Sequence, residues 1–173
     1  MNQPKVFATD GQKTDIVIER ATPEDLPVII ELLKIANMHY IGSPEMPAIT
    51  YENYFAARMT GKVVGFCGYK ILSPTEAKTE LMVVHPDCRG LGIGYKLQVR
   101  RMEDMLARGI RTLTTNTDLP ATIEWYQRHF GYRKVGTLKK IHEFGDPNID
   151  HWTTLQADLV EWNNTRRRNH ANE

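Results

Sequence analysis

The glycine-rich stretch HPDCRGLGIG at residues 85–94 limits the fold of this 173-residue chain more than any other feature. It follows the apolar run TELMVV (residues 79–84) and leads into an amphipathic segment at residues 91–108. Glycines where a strand becomes a helix let the backbone approach a ligand closely, and the unpaired N–H groups of the first helical turn attract anions. Arg89 adds a positive charge at the mouth of the bend. The stretch therefore predicts a strand–loop–helix unit that binds an anion, most often a phosphate.

The remaining pattern predicts alternating strands and helices without an internal repeat or an interior linker. Strands are expected at residues 15–22, on both sides of a Thr60-Gly61 turn within 53–72, and at 79–84, 110–117, 133–144 and 152–162. Helices are expected at residues 22–40, 91–108 and 118–131. The second helix is expected to bury Tyr95, Val99, Met102 and Leu106. One β-α-β passage favours a parallel pair of strands, and the rest favours antiparallel pairing, which is an α+β arrangement.

The chain is long enough for one domain with short tails. Residues 1–14 are expected to form a flexible arm, residues 15–162 the domain, and residues 163–173 a polar, disordered tail. A net charge of +1 gives no indication of a nucleic-acid or anionic-membrane partner. No stretch reaches the roughly 20 apolar residues of a membrane helix, and residues 1–15 lack the layout of a signal peptide. A cytoplasmic location is therefore expected. The basic run at 166–168 leaves nucleic-acid binding open, although such a short run is usually solvated.

Three phosphate-binding motifs compete for the glycine stretch. A Walker A motif needs Lys and Ser or Thr after its last glycine, and the last spacing of Gly90, Gly92 and Gly94 does not fit a dinucleotide fingerprint. The third motif fits, because ELMVVHPDCRGLGIGYKL resembles the acyl-CoA-binding motif of the GNAT superfamily of N-acetyltransferases. WYQRHFGY at residues 125–132 resembles a second motif of that family, with Tyr132 in place of the usual Phe. The order of elements is similar over roughly residues 15–160.

The resemblance implies a GNAT fold, in which a mostly antiparallel sheet contains one splayed parallel pair and is flanked by helices. It implies acetyl-CoA as co-substrate, with the pyrophosphate held by backbone N–H groups of Arg89, Gly90, Leu91, Gly92, Ile93 and Gly94. Met82, Val83 and Val84 would bind the pantetheine arm or the reacting carbonyl through main-chain groups. Asn116 ends a strand and is expected either to bind CoA or substrate or to cap the next helix.

Two side chains are candidates for proton transfer. Glu80 is the candidate general base, since family members often carry a glutamate near this place, and its even spacing from Met82 and Val84 is expected to put all three on one face. Its alternative role is that of a solvated edge carboxylate. Tyr126 matches the family's helix tyrosine, which implies a general acid for the departing thiolate and contact with the cofactor. Its alternative role is that of a core side chain.

In this family the acceptor lies against the first helix with its loop and against the last strands. Tyr40, His142 and His151 are the candidate acceptor-binding residues here. Nearby carboxylates favour an amino-bearing acceptor. The segment IHEFGDPNIDHW at 141–152 raises the possibility of a metal site, but its His and carboxylate spacing matches no recognised ligand pattern, so no metal is predicted.

The expected function is transfer of an acetyl group from acetyl-CoA to a primary amine of a small molecule by direct attack in a ternary complex. The alternative is a non-catalytic acyl-CoA-binding sensor or scaffold. A covalent acyl-enzyme on Cys88 is not expected. A homodimer through the late strands is possible in this family, and Trp152 and Trp162 can serve either that interface or the core.

Overall fold

The computed structural model describes residues 15–173, so the expected arm at 1–14 lies outside the described residues. The chain forms one mixed sheet with helices on both faces. Its strands are β1 (Ile16–Arg20), β2 (Tyr54–Met59), β3 (Lys62–Ile71), β4 (Glu76–Val84), β5 (Thr112–Thr117), β6 (Arg133–Lys139) and β7 (His151–Asp158). Its α-helices are α1 (Leu26–Ile35), α2 (Ile93–Ala107), α3 (Pro120–Phe130) and α4 (Leu159–Ala171).

The strand order across the sheet is β1-β2-β3-β4-β5-β7-β6. Every neighbouring pair is antiparallel except β4 with β5. These two strands pair only between residues 76–78 and 112–114, and beyond that point they separate. The predicted α+β fold, with its parallel splayed pair, is therefore confirmed.

The sheet has an apolar core on each face. On one face α1 contributes Ile29, Leu32 and Leu33 to a buried cluster with β2 and β3. The other face packs against α2, α3 and α4. From α2 the fully buried apolar side chains are Ile93, Leu97, Met102 and Met105, whereas Tyr95 is 47% exposed. The predicted face is therefore right at Met102, which is buried, and at Val99 and Leu106, which pack partly buried against the core. It is wrong at Tyr95, because the sheet lies against the stripe that begins at Ile93.

The end of the chain is a helix, not the predicted strand followed by a disordered tail. Asp158 caps α4 by accepting hydrogen bonds from the N–H groups of Val160 and Glu161, which ends β7 at that residue. Trp162 is buried against the core. Arg166 stacks on the Trp162 ring and forms a 2.7 Å ion pair with Glu103 of α2. The basic run at 166–168 therefore lies on a packed helix.

Two other predicted elements are shorter in the structure. The first helix ends at Ile35, and Asn37 follows in the left-handed region with φ 54°, so Tyr40 lies in the long connection to β2. The sixth strand ends at Lys139, and residues 140–150 form a loop. Among residues 15–173, no helix is both long and apolar enough to cross a membrane.

Candidate functional site

The separation of β4 from β5 opens a cleft of about 1240 Å³. Its floor is the gap between the two strands, and its walls come from the glycine-rich loop, α3, the α1–β2 connection and the β6–β7 loop. Thr79 and Thr115 close the inner end of the gap through a hydrogen bond between their hydroxyl groups. A parallel pair that diverges in this way leaves main-chain N–H and C=O groups of both strands unpaired by strand neighbours, and an extended ligand can bind to them.

A β-bulge at Leu81 determines what β4 presents to the cleft. Cys67 pairs with Met82 and Gly68 with Glu80, so Leu81 is the extra residue, with φ 45°. The bulge reverses the side-chain alternation, since Glu80 bonds to Tyr54 on the α1 face whereas Met82 packs against the opposite core. The prediction that Glu80, Met82 and Val84 share one face is therefore wrong.

The same bulge leaves the main chain of Met82 and Val84 directed into the gap. His85 N–H donates to Val64 O at 2.8 Å, and hydrogen-bonded and non-hydrogen-bonded pairs alternate along an antiparallel ladder. Counting back from His85, Val83 is bonded to β3, whereas Met82 and Val84 turn their N–H groups toward β5. Two of the three strand residues predicted to bind through the main chain are therefore free to do so.

Glu80 is buried and held by one specific partner. The Tyr54 hydroxyl donates a 2.8 Å hydrogen bond to Glu80 Oε2. Tyr54, Gly68 and Glu80 are in register across β2, β3 and β4, and the tyrosine ring lies over Gly68. Burial, together with the neighbouring Glu80 carboxylate, raises the pKa of Tyr54 far above its usual range, so the phenol is the proton donor in this pair. Sequence analysis missed both Tyr54 and Gly68.

The glycine-rich loop is shaped as the sequence predicted. A short 3-10 turn at Pro86–Cys88 follows β4, and Gly92 caps α2 with φ 77°. Gly90 also has a positive φ, of 79°, and no heavy atom lies within 4 Å of a Cβ placed at either glycine. Open space therefore surrounds both glycines at the start of α2, which is the positive end of the helix dipole and can attract an anion.

Tyr126 lies on α3, is only 5% exposed and lines the cleft. Its hydroxyl oxygen accepts a 3.0 Å hydrogen bond from Arg101 Nη2. Arg101 is fully buried in α2, and its remaining hydrogen bonds go to Gln98, Gly68 and Leu81. The sequence did carry a signal for this arginine, because it stands at the i+4 position after Leu97, within the buried stripe of α2.

The structure brings most of the predicted site residues together around the cleft. Those that line it are Glu80, Met82, Val83, Val84, Arg89, Gly90, Gly92, Ile93, Gly94, Asn116 and Tyr126. Four predicted residues are not part of its lining: Leu91, Tyr40, His142 and His151. Leu91 and Tyr40 are exposed, and His151 pairs with Asp150 on the surface.

Glu45 joins the α1–β2 connection to the β6–β7 loop at the outer wall of the cleft. It accepts 2.6 Å hydrogen bonds from Trp152 Nε1 and from the His142 N–H. The His142 ring bonds to the Ser43 hydroxyl at 2.8 Å. Burial raises the pKa of Glu45, but these hydrogen bonds outweigh burial and hold it below its usual range. The Trp152 side chain therefore makes contacts within its own chain, and so does Trp162.

A buried ion pair fixes the β6–β7 loop against the end of β5. Lys140 Nζ lies 2.9 Å from Asp118 Oδ2, and both side chains are less than a tenth exposed. The same ammonium donates to the carbonyls of Phe144 and Asp146 and lies 4.6 Å from the centre of the Trp152 ring. These contacts join the β6–β7 loop to the end of β5 and to β7. Within the part of the chain that the structure describes, no group of three or more His, Cys, Asp and Glu side chains is placed to hold a metal ion.

Comparison with known proteins identifies the family. Residues 29–132, more than half of the chain, match the family model described as acetyltransferase (GNAT) family. The chain belongs to the GNAT acetyltransferase family. It is therefore an acetyl-CoA-dependent acyltransferase, with acetyl-CoA as the co-substrate of this GNAT protein. No curated protein matches the sequence.

Solved GNAT structures share its fold. The ribosomal-protein-S18-alanine N-acetyltransferase from Escherichia coli superposes with a TM-score of 0.68 at 18% identity, over 84% of this chain and 94% of that one. The IAA acetyltransferase from Bacillus cereus ATCC 14579 gives 0.67 at 20% identity, over 83% and 99%. The yncA protein from Salmonella typhimurium, solved with its cofactor acetyl-CoA, gives 0.64 at 17% identity, over 84% and 94%. These identities establish the fold, and the acceptor must be inferred from the chain itself.

Proposed function

We propose that this GNAT protein transfers the acetyl group of acetyl-CoA to a primary amine of a small molecule by direct attack within a ternary complex. The observation that carries the proposal is the placement of Glu80 and Tyr126 along one cleft whose other end is the glycine-rich loop. A carboxylate and a phenol facing one thioester site supply the two proton transfers that aminolysis requires.

Acetyl-CoA would enter with its diphosphate at the start of α2 and its pantetheine arm along β4. The N–H and C=O groups of Val84 and the C=O group of Met82 face the gap and can pair with the amides of that arm. In the same arrangement the Met82 N–H is the donor that best fits the thioester oxygen, because Val83 is bonded to β3. The side chain of Asn116 lies on the opposite strand, where its Oδ1 accepts a 2.7 Å hydrogen bond from Thr154.

The reaction would begin with loss of a proton from the ammonium form of the acceptor to Glu80, directly or through a water. The amine nitrogen then attacks the thioester carbon, a C–N bond forms, and the carbonyl oxygen becomes an oxyanion at the Met82 N–H. Collapse of this tetrahedral intermediate restores the carbonyl and breaks the C–S bond, so the sulfur leaves as a thiolate. The thiolate takes the Tyr126 hydroxyl proton, the nitrogen gives its second proton to solvent water, and Glu80 releases the first proton to solvent. The products are an acetamide, CoA thiol and one released proton, with Tyr126 reprotonated from solvent.

The acceptor would occupy the outer part of the cleft, between the α1–β2 connection and the β6–β7 loop. Apolar side chains of Ile35, Met38, Met46 and Leu138 line this part, together with the carboxylate residues Glu45, Asp118 and Asp146. His142 would act by holding this wall in place through Ser43, and Tyr40 and His151 would contact only an acceptor that extends beyond the cleft. Because Lys140 already pairs with Asp118, Glu45 and Asp146 supply the negative charge here, and such charge beside apolar walls suits an amine with an apolar body.

A thermal-shift titration tests acetyl-CoA binding at the glycine-rich loop. Acetyl-CoA at about 100 times its Kd stabilises the native state by ~2.7 kcal/mol, which raises Tm by several degrees in a chain of this size. Gly92→Glu puts a carboxylate where the diphosphate would lie and is expected to remove the shift. Gly61→Glu is the matched control, since Gly61 has the same φ of 77° and equal free space but lies in the β2–β3 turn.

Thiol release with a panel of amines then tests the chemistry. The panel would contain spermidine, glucosamine, lysine and an alanyl peptide, each with and without enzyme. Amine-dependent release by wild type supports the proposal. CoA binding without release for any primary amine would favour a non-catalytic acyl-CoA-binding protein, and an absence of thermal shift with every CoA derivative would overturn the acyl-CoA site itself.

A further inference from the structure

Among residues 15–173, Arg101 is the largest side chain that is fully buried, with 1% of its surface exposed. Burying a guanidinium is costly unless its N–H groups are satisfied. Here they donate to four acceptors: Gln98 Oε1 at 2.7 Å, Gly68 O and Leu81 O at 3.1 Å each, and the Tyr126 hydroxyl at 3.0 Å. All four acceptors are formally neutral, so the positive charge of Arg101 is not offset by the groups that bind it.

One branch of the guanidinium fixes the bulge. Nη1 binds the carbonyls of Gly68 and Leu81 together, so the Leu81 carbonyl points back toward β3. The peptide unit joining Leu81 to Met82 is planar, and its N–H points opposite to its C=O. The Met82 N–H is therefore aimed into the gap beside β5. Because hydrogen bonding at a carbonyl polarises the whole peptide unit, the same contact makes this N–H a better donor.

The other branch fixes the Tyr126 hydroxyl. A guanidinium only donates hydrogen bonds, so Arg101 Nη2 occupies an acceptor position of the phenol oxygen. The hydroxyl hydrogen must then turn to a different acceptor. Tyr126 lines the cleft, where the sulfur of the thioester would lie under the proposed function. One side chain thus contacts both groups that the proposed reaction uses as donors, the peptide unit of the bulge and the Tyr126 hydroxyl.

We propose that Arg101 is a positioning residue that holds the Met82 N–H toward the thioester oxygen and the Tyr126 O–H toward the thioester sulfur, with its buried charge stabilising the negative charge that passes from oxygen to sulfur. The inference rests on the proposed function. A fixed cation in a water-poor site interacts more strongly with a developing anion than it would in water. Burial lowers the pKa of Arg101, but its interactions with Tyr126, Cys67 and Tyr132 outweigh burial and raise it, so the group stays charged.

Binding of CoA and of desulfo-CoA, the analogue that lacks the sulfur, separates this role from packing and needs no acceptor. Calorimetric titrations from pH 7 to pH 9 give the ratio of the two affinities. If Arg101 and Tyr126 stabilise the thiolate, the pKa of the bound thiol falls, and the preference for CoA over desulfo-CoA grows with pH. At high pH, the ratio of the affinity for CoA to that for desulfo-CoA rises by at most about tenfold for each unit by which the pKa of the bound thiol falls.

Wild type is expected to show this rise, and Arg101→Gln and Tyr126→Phe are expected to show a flat ratio. Arg101→Lys keeps the positive charge but lacks the two-branched guanidinium, so we expect an intermediate rise of the ratio. This variant also keeps the test decisive if Arg101→Gln does not fold. Arg100→Gln is the matched control on the exposed side of the same helix and should behave as wild type.

The inference is overturned if Arg101→Gln keeps the full rise of the ratio, or if it weakens both ligands equally at every pH, which is the result of a packing role. It is also overturned if wild type itself shows a flat ratio while binding both ligands. Failure of wild type to bind either ligand would instead overturn the acyl-CoA site on which the inference rests.

Discussion

The Tyr54 hydroxyl reaches Glu80 Oε2, at 2.8 Å, only because Gly68 has no side chain between them. A Cβ added at Gly68 would lie 2.5 Å from the Tyr54 ring, well inside contact distance. The three residues are in register on three adjacent strands, so the buried carboxylate is oriented by a phenol two strands away. The glycine is therefore as necessary to the position of Glu80 as the tyrosine is.

Gly68→Ala is expected to displace the Tyr54 ring from Glu80 and to destabilise the fold by about 1–3 kcal/mol, as overpacking does. Gly136→Ala is the matched control, since Gly136 also lies in a strand but has no neighbour within 4 Å of an added Cβ. Urea unfolding of both variants gives the comparison. Equal stability of the two would show that the ring moves aside without cost.

Glu80→Gln is expected to lower kcat by about 10²–10⁴-fold, the usual contribution of a general base, with little change in the KM for acetyl-CoA. The amide keeps the shape and the hydrogen bond from Tyr54 but cannot take a proton from the ammonium. Glu76→Gln is the control on the same strand, at its exposed start. Thiol release with the best amine of the panel is the measurement, and a kcat equal to wild type would remove Glu80 from the role of base.

Sequence analysis was reliable where a single segment contains the whole requirement. The glycine-rich loop requires two residues with positive φ before a helix, and the spacing of Gly90 and Gly92 indicates such a loop. Tyr126 was predicted in the same way, because its helix carries a recognisable motif. Neither prediction depends on how distant strands pair. The glycine-rich loop and Tyr126 were therefore both predicted correctly as parts of the cleft.

The parts that were missed depend on pairing between distant segments. The link from Tyr54 to Glu80 requires the register of three strands, and the bulge at Leu81 shifts that register by one residue. Helix α4 was missed although Asp158 and Glu161 have the spacing of a helix start. The prediction of one strand over residues 152–162 passed over this signal, which marks the end of β7 at Asp158.

Trp152→Phe is expected to loosen the outer wall of the cleft in a pH-dependent way. The folded pKa of Glu45 lies below its unfolded value, so the stability from its hydrogen bonds is present above the unfolded pKa and is lost as pH falls through the folded one. Loss of the indole N–H should cost about 1 kcal/mol at pH 7 and less at pH 3. Trp162→Phe, which removes no hydrogen bond to Glu45, should show no such trend when both are followed by thermal unfolding.

Lys140→Met would leave the buried Asp118 carboxylate without its cation. Breaking a buried ion pair on one side costs about 3–5 kcal/mol, whereas an exposed lysine contributes within about 0.5 kcal/mol. Lys139→Met, at the neighbouring exposed position, is therefore the control. The double variant Asp118→Asn with Lys140→Met buries no net charge and should recover a large part of the loss, because the cost comes mainly from the unpaired carboxylate. Urea unfolding measures all four proteins, and a double variant that is no more stable than Lys140→Met would show that Lys140 acts through its bonds to the loop carbonyls instead.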